Sequence, residues 1–427
     1  MPFNKLGLHP ELVKNVHALG FTKPTAIQAA SIPAAVEGRD LLAGAETGSG
    51  KTAAFLLPIL HRMLLQPKNG TRCLILAPTR ELAQQIADDF LELTPGTALS
   101  VAPIYGGVGM GPQLAALRRG VHVIAATPGR LLDHMNHGVH LKDLDFLVLD
   151  EADRMLDMGF LPDIKRILAK IPAKRQTLFF SATLPPEVKA LATSLLRNPE
   201  VIQTERQAPP AMVDQGLMSV HGNRKAELLI QLLGRPEMKQ AIVFTRTKQR
   251  ANRLAELLMK RGVNAQRIHG NRSQAQRTEA LKGFKSGKYR VLVATDLASR
   301  GIDVEALGHV VNFDVPVAPE DYIHRIGRTG RAGVSGTAWT LVAPDEEPLI
   351  RAIERILGKK LRRETVEGFG VHDAPTGKEE ALPPVRDRRF APQGRNYGPR
   401  GGGGGRGRPH GGGGHKGPGG HSPRAHR

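Results

Sequence analysis

In the stretch AETGSGKT, residues 45–52, small and hydroxylated residues surround a single lysine. Loops of this composition let several backbone N–H groups converge on anionic oxygens, while the lysine reaches the outer phosphates and a hydroxyl holds Mg2+ at the start of the next helix. Gly48, Gly50, Lys51 and Thr52 meet those needs, with Thr47 and Ser49 beside them. The general phosphate-loop pattern has glycine where Ala45 stands, so the strict string fails at one position, although Gly44 precedes it. A second stretch, FLVLDEADRML at 146–156, runs from four apolar residues directly into Asp150, Glu151 and Asp153. A metal-bound triphosphate needs one carboxylate for the cation and a second group for the attacking water. Asp150 suits the first role and Glu151 the second.

Such residues act together only if strand ends converge. Short runs rich in Val, Ile, Leu and Phe recur along the chain, separated by longer amphipathic segments, which predicts parallel α/β architecture. The runs are DLLAGA, CLILA, LSVAPIY, HVIAA, FLVLD and TLFFS, then AIVFT, AQRIH, VLVAT, HVVNFD and TAWTLVA. Polar, glycine-rich or charged residues begin where these runs stop, and open parallel sheets bind ligands beyond the carboxyl ends of their strands. The pattern breaks at TERQAPPAMVDQ, residues 204–215, where paired prolines intervene. We expect one domain at 1–205, a linker at 206–212, a second domain at 213–365 and a tail at 366–427.

The charge balance points to a polyanionic partner. Lys plus Arg outnumber Asp plus Glu by 60 to 40 in the 427 residues, giving a formal charge of +20 and a pI near 10.3. Nine of those cations follow Asp387, with no acid after it, and from Tyr397 nearly every residue is Gly, Arg, Pro or His. With so little to bury, that tail is expected to be disordered. Its histidines, at 410, 415, 421 and 426, lack the regular spacing of a metal site. The single cysteine, Cys73, excludes an internal disulfide and reads as a small buried hydrophobe. The N-terminus lacks the apolar stretch of a secretory signal, and no run reaches the ~20 apolar residues a bilayer requires, so a soluble cytoplasmic protein is the expectation.

Taken in order, AETGSGKT, PTREL at 78–82, TPGR at 127–130, DEAD at 150–153, SAT at 181–183, RGID at 300–303 and HRIGRTGR at 324–331 resemble the motifs of the DEAD-box ATP-dependent RNA helicases. The resemblance covers residues 3–365 or so and both expected domains. It implies two tandem RecA-like domains with ATP, Mg2+ and RNA in the cleft between them, and this family's own loop resembles A-x-T-G-x-G-K-T, which absorbs the Ala45 departure. GFTKPTAIQ, residues 20–28, resembles the family's adenine-recognition motif. The Gln28 amide can donate to one adenine edge nitrogen and accept from the exocyclic amine, a pattern guanine reverses. Phe3 stands where the family places an aromatic that stacks on the base. Phe21 fits the motif, and a role as a core anchor stays equally open. Arg328 and Arg331 match arginine fingers that stabilise charge on the transferring phosphoryl group. Asp303 matches a contact to the ribose, and His324 and Arg325 resemble links to the other domain and the phosphates. Ser181 and Thr183 are expected to hydrogen-bond Asp153 and so couple the nucleotide site to the RNA surface, unless they only cap a helix.

RNA contacts implied by the resemblance are Pro78, Thr79, Arg80, Gly106, Gly107, Thr127, Pro128, Gly129 and Arg130 in the first domain. Arg246, Gly270 and Thr295 are the counterparts in the second. This set suits phosphates and sugars rather than base edges, which predicts sequence-independent binding. In the implied cycle ATP and RNA close the cleft together, closure aligns the arginines, a bent path parts a short duplex, and hydrolysis reopens the cleft. The tail then reads as an RNA-tethering arm or as a plain solubilising extension. Core and tail together resemble the RhlE-type bacterial branch. A DNA-directed helicase or an ATP-gated RNA clamp would share these motifs. We expect a monomer working beside ribosome-assembly or RNA-decay proteins.

Overall fold

The computed structural model describes residues 2–44, 49–203, 213–296, 307–330 and 335–369. Thr47, Gly48, Asp303, Arg331, the expected linker and the expected tail from residue 370 onward lie outside them. The described residues fall in one compact unit that carries two sheets of seven parallel strands, each flanked by helices.

The first sheet comprises β1 (Leu41–Gly44), β2 (Cys73–Leu76), β3 (Val101–Ile104), β4 (Val123–Ala126), β5 (Phe146–Leu149), β6 (Gln176–Ser181) and β7 (Glu200–Gln203). Around it lie α1 (Pro10–Ala18), α2 (Ala26–Val36), α3 (Lys51–Leu65), α4 (Arg80–Leu93), α5 (Met110–Arg119), α6 (Pro128–Asn136), α7 (Ala152–Asp157), α8 (Leu161–Leu168) and α9 (Pro186–Leu195). The second sheet comprises β8 (Val213–Ser219), β9 (Ala241–Phe244), β10 (Ala265–Ile268), β11 (Val291–Ala294), β12 (His309–Asn312), β13 (Gly336–Val342) and β14 (Arg362–Glu364). Its helices are α10 (Lys225–Leu233), α11 (Lys248–Lys260), α12 (Gln274–Lys285), α13 (Pro319–Ile326) and α14 (Glu347–Leu357).

The apolar runs become strands because helices cover both faces of each sheet. Along β2, Cys73 and Ile75 enter one core and Leu74 and Leu76 the other, so alternation along the strand spends an apolar residue at every position. β9 does the same in the second lobe, with Ala241 and Val243 on one side and Ile242 and Phe244 on the other. The strands with no such run are β7, β8 and β14. The first and last of these are sheet edges, half open to solvent. Residues 366–369, placed in the tail by composition, belong to the folded lobe: Val366 and Phe369 pack on its core and the Arg224 guanidinium lies 4.5 Å from the Phe369 ring centroid. Composition averages over a window and cannot see two apolar residues that find a partner.

The strand order is β3-β4-β2-β5-β6-β1-β7 in the first sheet and β10-β11-β9-β12-β13-β8-β14 in the second. The second order is the first with every strand advanced by seven. This one topology, used twice, sorts the chemistry of both lobes. The ends of β5, β6 and β1 are neighbours and carry DEAD, SAT and the phosphate loop. The ends of β3, β4 and β2 carry Gly106–Gly107, TPGR and PTREL, and in the second lobe β10, β11 and β9 carry Gly270, Thr295 and Arg246 in the same three places.

Candidate nucleotide site and nucleic-acid face

Gly50 leads into α3 at φ +89, a left-handed conformation glycine adopts without strain, and a Cβ there would lie 2.5 Å from Gln28 Nε2. Ser49 precedes it, and Lys51 and Thr52 open the helix. Lys51 is 6% exposed, with Nζ 3.9 Å from Asp150 Oδ1. Burial pushes the Asp150 carboxyl up to about 6, against the pull of Lys51. Burial pushes Glu151 up as well, but Arg154, Lys51 and Arg328 outweigh it and leave that carboxyl below the ordinary glutamate range. Glu151 also holds φ +51. Such a backbone costs on the order of 1–3 kcal/mol and persists only where surroundings enforce it. Here its N–H donates to Asp150 Oδ1 at 3.0 Å and its Oε2 accepts from Arg154 Nη1 at 2.7 Å.

The adenine motif is tied to the phosphate loop. Gln28 Oε1 accepts the Thr25 N–H at 2.9 Å, completing a capping box on α2, and Nε2 donates to the Gly50 carbonyl at 3.1 Å. Phe3 departs from expectation. It is 1% exposed, because the turn Phe3–Lys5 folds back so that the ring joins Leu6, Leu12 and Val16 in the first core. A ring in that position turns no face to a base. Phe21 is 49% exposed, which excludes the core-anchor reading and makes it the open aromatic of this motif.

Ser181, Thr183 and Asp153 come together at the ends of β5 and β6. The Asp153 N–H donates to Ser181 Oγ at 3.2 Å, as a helix cap would, while the Thr183 N–H and hydroxyl both donate to Asp153 Oδ2 at 2.8 Å.

On the nucleic-acid side Thr79 caps α4 by accepting the Leu82 N–H, and Thr127 precedes α6, whose first turn holds Pro128, Gly129 and Arg130. Pro78 is buried beside Thr79. Arg80 lies over Gly106 and Gly107, and a Cβ on Gly107, at φ +83, would sit 1.8 Å from its guanidinium. Arg130 Nη1 donates to the Val108 carbonyl at 3.0 Å. Burial, then the charge of Arg277, lowers the pKa of Arg80, with Arg130 adding to it and Glu81 opposing. Three guanidinium groups crowd this corner, which suits an anion.

In the second lobe Gly270 is exposed beyond β10, and Thr295 is buried with its N–H toward the Ile268 carbonyl. Two arginines are committed elsewhere than expected. Arg246 donates from Nη2 to Glu346 and to the Val315 carbonyl, both at 3.1 Å, so its charge is spent inside the lobe. Arg325, 2% exposed, forms a two-pronged pair with Asp296 at 2.5 and 2.7 Å and donates to Asn312 and to the Asp314 carbonyl. It braces α13 against its own sheet instead of reaching the first lobe. His324 sits in the last turn of α13, and its carbonyl accepts Arg328 Nε at 3.4 Å. Arg328, 5% exposed, is the residue whose charge bears on Glu151 across the lobes.

Two pairings escaped the sequence reading. Arg277 and Gln274 of α12 both reach Glu81 of α4, at 2.8 and 3.4 Å, and join the lobes. Arg154 grips Glu151. The only available signal was charge beside a motif: Glu81 lies inside PTREL and Arg154 directly follows DEAD, whereas nothing in the sequence marks Arg277 or Gln274.

A phosphate loop after β1, paired carboxylates after β5 and an arginine brought by a second copy of the same sheet define a two-lobed RecA-like ATPase. The family profile described as DEAD/DEAH box helicase matches residues 25–191, and that described as helicase conserved C-terminal domain matches residues 224–333. The DEAD-box ATP-dependent RNA helicase CshA of Geobacillus kaustophilus is 43% identical over 363 residues, 84% of this chain and 78% of that protein. The structure of S. cerevisiae Dbp5 bound to RNA and ADP BeF3 is 32% identical and superposes with a TM-score of 0.77, covering 85% of this chain and 95% of that one. A DEAD box protein from the hyperthermophile Methanococcus jannaschii is 40% identical over 85% of this chain and 99% of that one, at a TM-score of 0.51. The chain belongs to the DEAD-box ATP-dependent RNA helicases: it binds ATP and RNA, and it couples ATP hydrolysis to the unwinding of RNA.

Proposed function

We propose that Lys51, Asp150, Glu151 and Arg328 form one hydrolytic centre that is complete only while the lobes are closed. The observation that carries this reading is the placement of Arg328, from the second sheet, near enough to Glu151 of the first for its charge to lower that carboxyl. The better superposition on the RNA-bound Dbp5 than on the more identical M. jannaschii protein supports the view that this arrangement is the closed one. Lys51 draws the outer phosphates, Glu151 orients the water, and Arg328 offsets charge on the phosphoryl group as it transfers. Gln28 keeps one N–H and one lone pair beyond its two bonds, enough to read an adenine edge.

The residues fit a divalent cation. An ionised Asp150 at 2% exposure lacks water to stabilise it, and with the Thr52 hydroxyl it offers the hard oxygen donors that Mg2+ takes. When bound, that ion supplies charge neutralisation on the phosphates. Asp150 and Thr52 would hold it.

RNA lies, on this reading, across the ends of β3-β4-β2 and β10-β11-β9, gripped through backbone amides and the Arg80–Arg130 corner without reading sequence. We further propose a cytoplasmic monomer that acts beside ribosome-assembly or RNA-decay proteins; sequencing of crosslinked transcripts tests the pathway, and light scattering of the purified chain tests the monomer. For the hydrolytic centre, Arg328→Ala is expected to lower RNA-stimulated kcat roughly a thousandfold while ATP still binds. Wild-type turnover in that variant would sink the proposal.

A further inference from the structure

We propose that Arg154 is a positioning residue for ATP hydrolysis, holding the Glu151 carboxylate toward the attacking water and away from the cations that must serve the phosphates. This rests on the role of Glu151 proposed above.

Glu151 precedes α7 in a left-handed conformation, and Arg154 stands one turn on, so its side chain returns over the helix start. Nη1 donates to Oε2 at 2.7 Å, and the two side chains are only 7% and 8% exposed. A buried guanidinium is costly unless it is paired, so this contact is not a surface residue's incidental bridge. Three cations act on Glu151: Arg154, Lys51 and Arg328. Lys51 also faces Asp150, and Arg328 also reaches the His324 carbonyl. Were Glu151 released, either could capture it, and each such pairing would remove a phosphate ligand. With Oε2 held by Arg154, the other carboxylate oxygen remains for the water. Arg154 lies in the helix that Glu151 caps and would stay with it when the lobes part, whereas Arg328 would leave with the second lobe. The pairing therefore keeps the carboxylate oriented from one cycle to the next, the kind of preorganisation whose loss costs rate rather than binding.

The test uses the full chain with Arg154→Gln, Arg154→Lys and Glu151→Gln, comparing RNA-stimulated kcat, KM for ATP, and RNA affinity in a non-hydrolysable ATP analogue. Arg154→Gln is expected to lower kcat about 10- to 100-fold, with KM and RNA affinity within about twofold of wild type. Arg154→Lys returns a cation without the planar fork and should recover part of that loss. A kcat within twofold of wild type for Arg154→Gln, beside an inactive Glu151→Gln, overturns the inference alone. Turnover retained in Glu151→Gln overturns the reading beneath it instead. If Arg154→Gln does not fold, Arg154→Lys decides: at least threefold lower kcat with unchanged RNA affinity supports the proposal, and wild-type kcat refutes it. Parallel loss of kcat and RNA affinity in either variant would mark Arg154 as merely structural and refute it too.

Discussion

At Asp150 the chemistry needs a charge in a place where the fold penalises one. Its carboxyl lies at about 6 against an ordinary value of 3.8, with burial as the first cause. Above pH 6 the residue is ionised in both folded and unfolded chains, and the nucleotide-free fold bears the whole penalty, about 3 kcal/mol for a shift of this size. Below pH 4 it is neutral in both and the penalty vanishes. Asp150→Asn should therefore be inactive yet more stable than wild type at pH 7 in urea unfolding without nucleotide, and the gain should fade as the pH falls from 6 to 4. Equal stability of the two proteins at pH 7 would refute this account. The need for an acid at the end of the FLVL run is legible in the sequence. Its cost is not, since burial is a property of what folds around the residue.

Among the elements, α2 shows how one side chain serves two scales. Gln28 closes the capping box of that helix and bonds the Gly50 carbonyl, which ties the adenine motif to the residue that leads into α3. Gln28→Ala should cost about 1 kcal/mol of stability through the lost cap and raise the KM for ATP roughly tenfold. A changed melting temperature with an unchanged KM would separate the cap from the loop and contradict the linkage. The strands buried on both faces could be read from sequence because apolar residues dominate both of their faces, as in CLIL and FLVL. Strands β7, β8 and β14 could not: their pairing supplies the order that their composition lacks. Phe3 went astray for a related reason, as a terminal aromatic beside Leu6 and Leu8 has a core within reach.

For the whole molecule the decisive contacts join the lobes. The Arg277–Glu81 pair, with side chains 10% and 7% exposed, spans the two lobes, so a separation of the lobes would break it. Leaving one member unpaired in the closed state is the costly case. Glu81→Gln is thus expected to weaken RNA binding in the presence of an ATP analogue by about 10- to 100-fold, with little change in its absence. Exchanging the charges, Glu81→Arg with Arg277→Glu, should restore part of the loss. An analogue-dependent RNA affinity equal to wild type in Glu81→Gln would show that closure does not depend on the pair. Because ATP and RNA would both favour the closed arrangement, either ligand should tighten the other by the same factor.

The amino-acid order alone determined the α/β class, the family motifs and the edge of the sheet on which they stand, because apolar periodicity and strand ends are local properties. Only the tertiary structure decided which charges are available to ligands. Arg246 and Arg325 are spent within the second lobe, Arg154 and Arg277 are engaged beside the site, and the charge of Arg328 bears on Glu151 from the other lobe. A residue's charge is written in its type, but its partner is set by distance, and distances between remote residues exist only once the chain has folded.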